Sequence, residues 1–340
     1  MKKLLTLCFA FVLSACNGQN QKEMNNKAQE LLGNLYKNVE YRDEAISNHM
    51  VVSSGGATVE VYINGYPIHR EPVVIGKRSG RGMIGGSNPI NEYILKSGVQ
   101  EWEVRVYPAY SMATKSQEKT LSENTRFIMR LEKLRFTDNG VEHLAPAKVI
   151  IETPMVSKTT STGNTEQVYK DAGKPMAIYK GTFIAEVPYI LKGWSESVDL
   201  TKEDPKKLKE ELVEKYQELW NILDKRRTDL FAEKILKRET ETAQALFYTK
   251  VLNDDYMNTF FENVGKEDKK MDLLKDYKMV FYGKYMISLE HEKVGDLPYL
   301  PALSAVYNDK TDEGTIFTRY ITYYIAFHRP KPGAPLEIIR

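Results

Sequence analysis

Cysteine is nearly absent. The 340 residues contain two, Cys8 and Cys16, and none follows. Beyond position 16 there can be no disulfide, no thiol nucleophile and no cysteine-based metal site, so stability must come from a buried core, which a chain of this length can supply. Histidine is also scarce. The five residues His49, His69, His143, His291 and His328 include no pair at metal-ligand spacing. His291-Glu292 opens like a zinc-protease helix, but Gly295 stands where the second ligand belongs. No metal and no other cofactor is expected. An excess of charge of one sign is missing too: 48 Lys and Arg face 46 Asp and Glu. Loss of Lys2 and Lys3 with a leader would leave 46 against 46, a net charge of zero. Phosphate binding needs a basic surface, so nucleic acid is not the expected partner.

Familiar catalytic arrangements are missing as well. G-x-S-x-G does not occur, and the nearest run, Gly85-Gly86-Ser87-Asn88-Pro89, lacks the closing glycine. Ser116-Gln117-Glu118-Lys119 matches S-x-x-K with Ser122-Glu123-Asn124 close behind, but no K-T-G follows. The turn at 308–314 resembles a calcium loop with Lys310 where a ligand oxygen is required. These absences point away from an enzyme and toward a protein that works by binding. A hydrolase whose carboxylates are assembled from distant positions is the arrangement a linear reading misses.

What is present begins at the amino end. Lys2 and Lys3 precede an apolar stretch from Leu4 to Leu13, far short of the roughly 20 residues a spanning helix needs. Leu13-Ser14-Ala15-Cys16 then resembles the lipobox of bacterial lipoproteins. The resemblance covers these sixteen residues only. It implies cleavage before Cys16, a diacylglycerol on its thiol and an acyl group on the new amino terminus. Asn17 follows, where inner-membrane lipoproteins often carry Asp, so the likeness implies the outer membrane. The polar run 17–27 reads as a flexible tether, with the periplasmic face favoured over the cell surface.

Periodicity organises the rest. Residues 1–15 read as a signal peptide, 16–27 as lipid anchor and tether, and 28–47 as an amphipathic helix with Ala28, Leu31, Leu32, Leu35 and Val39 on one face. From 48 the period becomes two. Val59, Val61 and Ile63 alternate with polar neighbours before the hairpin signal Asn64-Gly65, and Trp102, Val104 and Val106 repeat the pattern. Short strands with turn signals over 48–195 predict an antiparallel β-sandwich. Residues 200–340 predict an α+β domain. Asp204-Pro205 is a cap followed by a first-turn proline, Leu208, Leu212, Tyr216, Leu219 and Leu223 recur at helical spacing, and a second helix runs over about 228–262 with a break near 238–242. A three-stranded antiparallel meander closes the chain, its last strand, 320–327, apolar on both faces and therefore central. The fold class is mainly β plus α+β.

Two surface features stand out. Residues 76–88 hold five glycines with Lys77, Arg78 and Arg81. Backbone N–H groups in such a run can cradle an anion, so these three cations are candidate contacts for an acidic partner surface or an anionic glycan or lipid. Tyrosine is abundant, with 21 residues. Tyr62, Tyr66, Tyr107 and Tyr110 form a candidate aromatic contact face for sugar rings or protein pockets. Residues 90–107 resemble the strand entries of sugar-binding and accessory sandwich domains. The expected function is a lipid-anchored envelope protein that binds a protein partner, in an immunity, inhibitor or assembly role; a glycan-binding lipoprotein is the alternative.

Overall fold

The computed structural model describes residues 20–71, 74–75, 84–111, 116–137, 140–291, 300–311 and 313–340. Cys16, Lys77, Arg78 and Arg81 lie outside the described residues.

The amino-terminal half is two antiparallel sheets. In the first, strands β1 (Ser47–Gly55), β4 (Ile84–Pro89), β6 (Arg126–Thr137), β7 (Gly140–His143) and β8 (Lys148–Glu152) take the order β7-β6-β1-β4, with β8 also on β6. In the second, β2 (Ala57–Ile63), β3 (Tyr66–Glu71), β5 (Gly98–Pro108) and β11 (Ala177–Ala185) take the order β11-β5-β2-β3. The hairpin of β9 (Met155–Thr159) and β10 (Thr165–Tyr169) stands apart. Alternation explains the packing. Met50 and Val52 of β1 and Phe127 and Met129 of β6 point to the same buried cluster as Val59, Val61, Val104, Val106 and Phe183 of the second sheet. Asn64 and Gly65 both have positive φ, as the β2–β3 hairpin requires.

The helices share a buried cluster with this sandwich. Helix α1 occupies the described residues 20–32 and is followed by short 3₁₀ turns at Leu35–Asn38 and Arg42–Glu44. The helix therefore begins and ends earlier than the expected 28–47, and residues 20–27 are helical where a tether was expected. The reason is tertiary. Gln21 donates to the Arg226 carbonyl and Asn25 accepts from the Thr228 hydroxyl, so polar side chains typical of a solvated linker are fixed on a neighbouring turn. Ala28, Leu32, Leu35 and Val39 do face the core.

Helix α2 (Pro205–Asp224) begins as the sequence predicts, with the Asp204 carboxylate accepting from the N–H groups of Lys206 and Lys207. The long second helix is two: α3 (Thr228–Ala245) and α4 (Lys250–Gly265). The break lies near Phe247, which is buried with φ 51°, and not at 238–242. Phe247 packs its ring 5.8 Å from Tyr189 of the sandwich, an attraction that no glycine or proline advertises.

The closing strands also differ from the expected meander. β13 (Tyr277–Tyr282) and β14 (Met286–His291) form a hairpin that joins β17 (Phe327–His328) and β18 (Glu337–Ile338). β15 (Ser304–Lys310) and β16 (Ile316–Thr322) form another, in a separate sheet with β12 (Lys270–Met271). β16 is an edge strand with Ile316 and Tyr320 exposed, and the chain leaves it after Thr322. The apolar run beyond is held by side chains instead of a ladder. Tyr323 donates to the Asn263 carbonyl, and the Ile325 carbonyl accepts from the hydroxyls of Tyr216 and Ser288.

One buried cluster runs through both halves, from Val52 and Val104 to Tyr216, Phe260 and Ile325. At the β2–β3 tip the contact is backbone to backbone: a Cβ on Gly65 would stand 2.8 Å from the Gly283 Cα. A side chain at Gly65 would force the two halves apart there.

Candidate functional site

The outer face of the second sheet is built by register. Lys180, Glu103 and Tyr62 lie abreast, as do Ile178, Arg105, Glu60 and Arg70. Opposite charges thus meet across strands. Glu103 accepts from Arg105 at 2.5 Å and from Lys180 at 2.9 Å. Arg105 donates to the Tyr62 hydroxyl, which donates to Glu60 at 2.7 Å. Further along, Glu290 of β14 accepts from Arg70 and from Tyr282, both at 2.5 Å. The Arg70 guanidinium sits 5.5 Å from the Tyr62 ring and 5.1 Å from the Tyr282 ring.

Burial falls from one end of this ladder to the other. Glu60 and Glu290 are each 2% exposed, whereas the Lys180 side chain is 68% exposed. The carboxyl-terminal half covers the β2–β3 end. That corrects the expected aromatic face. Tyr62 is buried, and Tyr66 is buried with its ring 4.5 Å from Tyr93 and 5.3 Å from Tyr282. Burial pushes both phenols above their ordinary range, Tyr66 to about 12. Tyr107 and Tyr110 are half-buried. Alternation identifies two faces of a strand, but it does not say which of them another part of the chain will cover.

The open end of the same face is apolar. Ile184 and Val99 are cross-strand partners and are 64% and 69% exposed, and Ile178 is exposed on the same side. They belong to β11 and its neighbour. β11 is a nine-residue edge strand with no strand partner on its far side among the described residues. Native edges of this length are ordinarily short, charged or covered.

The second opening lies on the other sheet. A groove of about 530 Å³ separates the outer face of β1, β4 and β6 from the turn between α3 and α4. Its walls are apolar, with Ala45, Pro89, Phe136, Leu246, Phe247 and Leu252 prominent. Four polar residues enter it: Arg42, Ser47, His49 and Thr249. Both nitrogens of His49 are engaged, Nε2 with the Ser47 hydroxyl and Nδ1 with the Ser87 hydroxyl, each at 2.9 Å. Burial lowers the His49 pKa, and the charge of Glu132 opposes that only partly. Arg42 donates to the carbonyls of Tyr36 and Tyr248, which fixes it beside Thr249, the N-cap of α4. Beneath, Asn91 accepts from the Asn48 N–H at 2.8 Å and donates to the carbonyls of Ile46 and Ala245. Sheet and helix are pinned together under the groove.

Sequence reasoning missed this groove because its residues come from segments around 42–49, 89, 136 and 245–252. Ser87 was visible only as part of an incomplete G-x-S-x-G. Among the described residues, no group of three or more His, Cys, Asp or Glu side chains is placed to hold a metal ion, and no helix is long and apolar enough to cross a membrane. No protein-family model, curated protein or solved structure matches this chain.

Proposed function

We propose that this chain is a lipid-anchored protein of the outer membrane, facing the periplasm, that works by binding a protein partner in an immunity, inhibitor or assembly role. The observation that carries the reading is the open nine-residue edge of β11 with its exposed Ile178, Ile184 and Val99. Unpaired strand edges offer backbone donors and acceptors to a partner's strand, and exposed side chains beside them select it. The open part of the ladder, Lys180, Glu103 and Arg105, supplies complementary charge at the rim.

The anchor belongs to the same reading. Cys16 lies four positions before the first described residue of α1, and α1 is bound by Gln21 to the turn between α2 and α3. A lipid on Cys16 would hold that end of the molecule against the bilayer. α3 has 18 residues, so its far end, which borders the groove, is roughly 27 Å away along its axis. The glycan alternative draws less support, since two of its four tyrosines are buried.

Two measurements test the proposal. Mass spectrometry of the membrane fraction is expected to find the amino-terminal peptide beginning at Cys16 with acyl groups attached; an unmodified thiol in a soluble fraction would refute the anchor. Photo-crosslinking from position 182, exposed on the same strand face, in whole cells is expected to trap one envelope protein, and Ile184→Lys with Val99→Lys should abolish the adduct. An adduct that survives both changes would refute the edge as the contact.

A further inference from the structure

We infer that the groove between the first sheet and the α3–α4 turn binds an acyl-chain carboxylate, with the chain against Phe136, Phe247 and Leu252 and the head group beside Arg42. This site is separate from the β11 edge and does not depend on it.

The walls set the chain. Phe136 is 62% and Leu252 47% exposed, so the groove keeps large apolar side chains in water at its rim while Phe247 closes its floor. A volume of about 530 Å³ matches the range of small-molecule sites. Every apolar group that enters displaces water from a lining dominated by carbon.

Charge sets the head group. Arg42 is the one charged residue lining the groove among the described residues. Its hydrogen-bond partners are the Tyr36 and Tyr248 carbonyls, and no carboxylate pairs with it among the described residues. A guanidinium has five N–H donors in a planar fork, so donors remain for a carboxylate. The neighbouring N-terminus of α4, a helix of 16 residues, adds potential of the same sign. No acidic side chain lines the groove. Glu132, opposite His49 in the strand register, is the acidic group facing that ring from β6. Ser47 and Thr249 bring hydroxyls without charge. An apolar chain with a neutral end would fill the walls and leave Arg42 unanswered, whereas a cationic amphiphile would be repelled.

The test is calorimetry on the purified full chain with straight-chain carboxylates from hexanoate to laurate and with the matching alcohols. Kd is expected to fall about three- to fourfold for each added methylene until the groove is full. Each carboxylate should bind on the order of tenfold more tightly than its alcohol. Arg42→Gln should erase that preference while leaving alcohol affinity in place, and the retained alcohol binding shows that the variant is folded. Leu252→Glu should weaken acids and alcohols together. A Kd independent of chain length would overturn the inference, as would equal affinity for acid and alcohol or a head-group preference that survives Arg42→Gln. Crosslinking from position 182 is read separately, so either site can fail without the other.

Discussion

The two outer faces of the sandwich begin from the same pattern and end differently. On the second sheet, the outward residues of β2 and β3 are charged and aromatic, and they are sealed beneath β14: Arg70 pairs with Glu290, and Glu60 accepts from the Tyr62 hydroxyl, in a buried ladder. On the first sheet, the outward residues of β1 are Ser47, His49 and Val51, and the helices that approach stop short, leaving a groove. The layer over the second sheet brings Glu290 to Arg70, whereas Arg130, outward on the first sheet opposite Val51, stays exposed. The lesson is that a polar outward face does not mean a solvated one.

The contrast can be broken at its tightest point first. Arg70→Ala leaves Glu290 buried without its cation, and urea denaturation should show a loss of about 3–5 kcal/mol, the cost of an unpaired buried charge. A loss below about 1 kcal/mol would mean the covered face is wet. On the open side the corresponding pin is Asn91. Asn91→Ala strands the Asn48 N–H, the buried Ala245 carbonyl and the partly buried Ile46 carbonyl and should cost about 2–3 kcal/mol, with ligand affinity in the groove falling in parallel.

A third test uses the histidines. His328 is buried in β17, with Nδ1 2.6 Å from the Ser197 hydroxyl. Burial, aided by the charges of Lys237, Arg340 and Lys192 and opposed by Glu337, lowers its pKa from 6.5 to about 4. The sign follows from linkage. Below 6.5 the unfolded chain takes up a proton that the folded chain refuses, so stability falls as pH drops toward 4. Between 6.5 and about pH 5 the loss should approach 2 kcal/mol, and His328→Gln should flatten that slope. His49→Gln, at the half-buried groove site, should change it much less. The smallest stability effects belong to the proposed contact residues. Ile184→Lys and Phe136→Ser should each shift unfolding by no more than about 0.5 kcal/mol, although one should remove the crosslinked partner and the other should weaken carboxylate binding.

Local features were legible wherever neighbours in sequence are also neighbours in space. Asn64-Gly65 made its hairpin, Asp204-Pro205 capped α2, and the alternation around Val59 and Val104 named the residues that fill the sandwich. Readings failed where a distant segment intervened. Residues 20–27 became helix through bonds to Arg226 and Thr228, the α3–α4 break was set by a phenylalanine docking on the sandwich, and the run 320–327 was parted by hydroxyls from α2 and β14. The groove had no local signature, because Arg42, His49, Phe136 and Leu252 are brought together by four separate elements.

By itself, then, the sequence determined the periods, the caps and turns, and a core that needs no disulfide beyond position 16. These are short-range properties, set by backbone sterics and by which side chains repel water. Only the tertiary structure decided which faces are covered, which tyrosines meet solvent and where an opening remains, since burial depends on what the rest of the chain packs against each face.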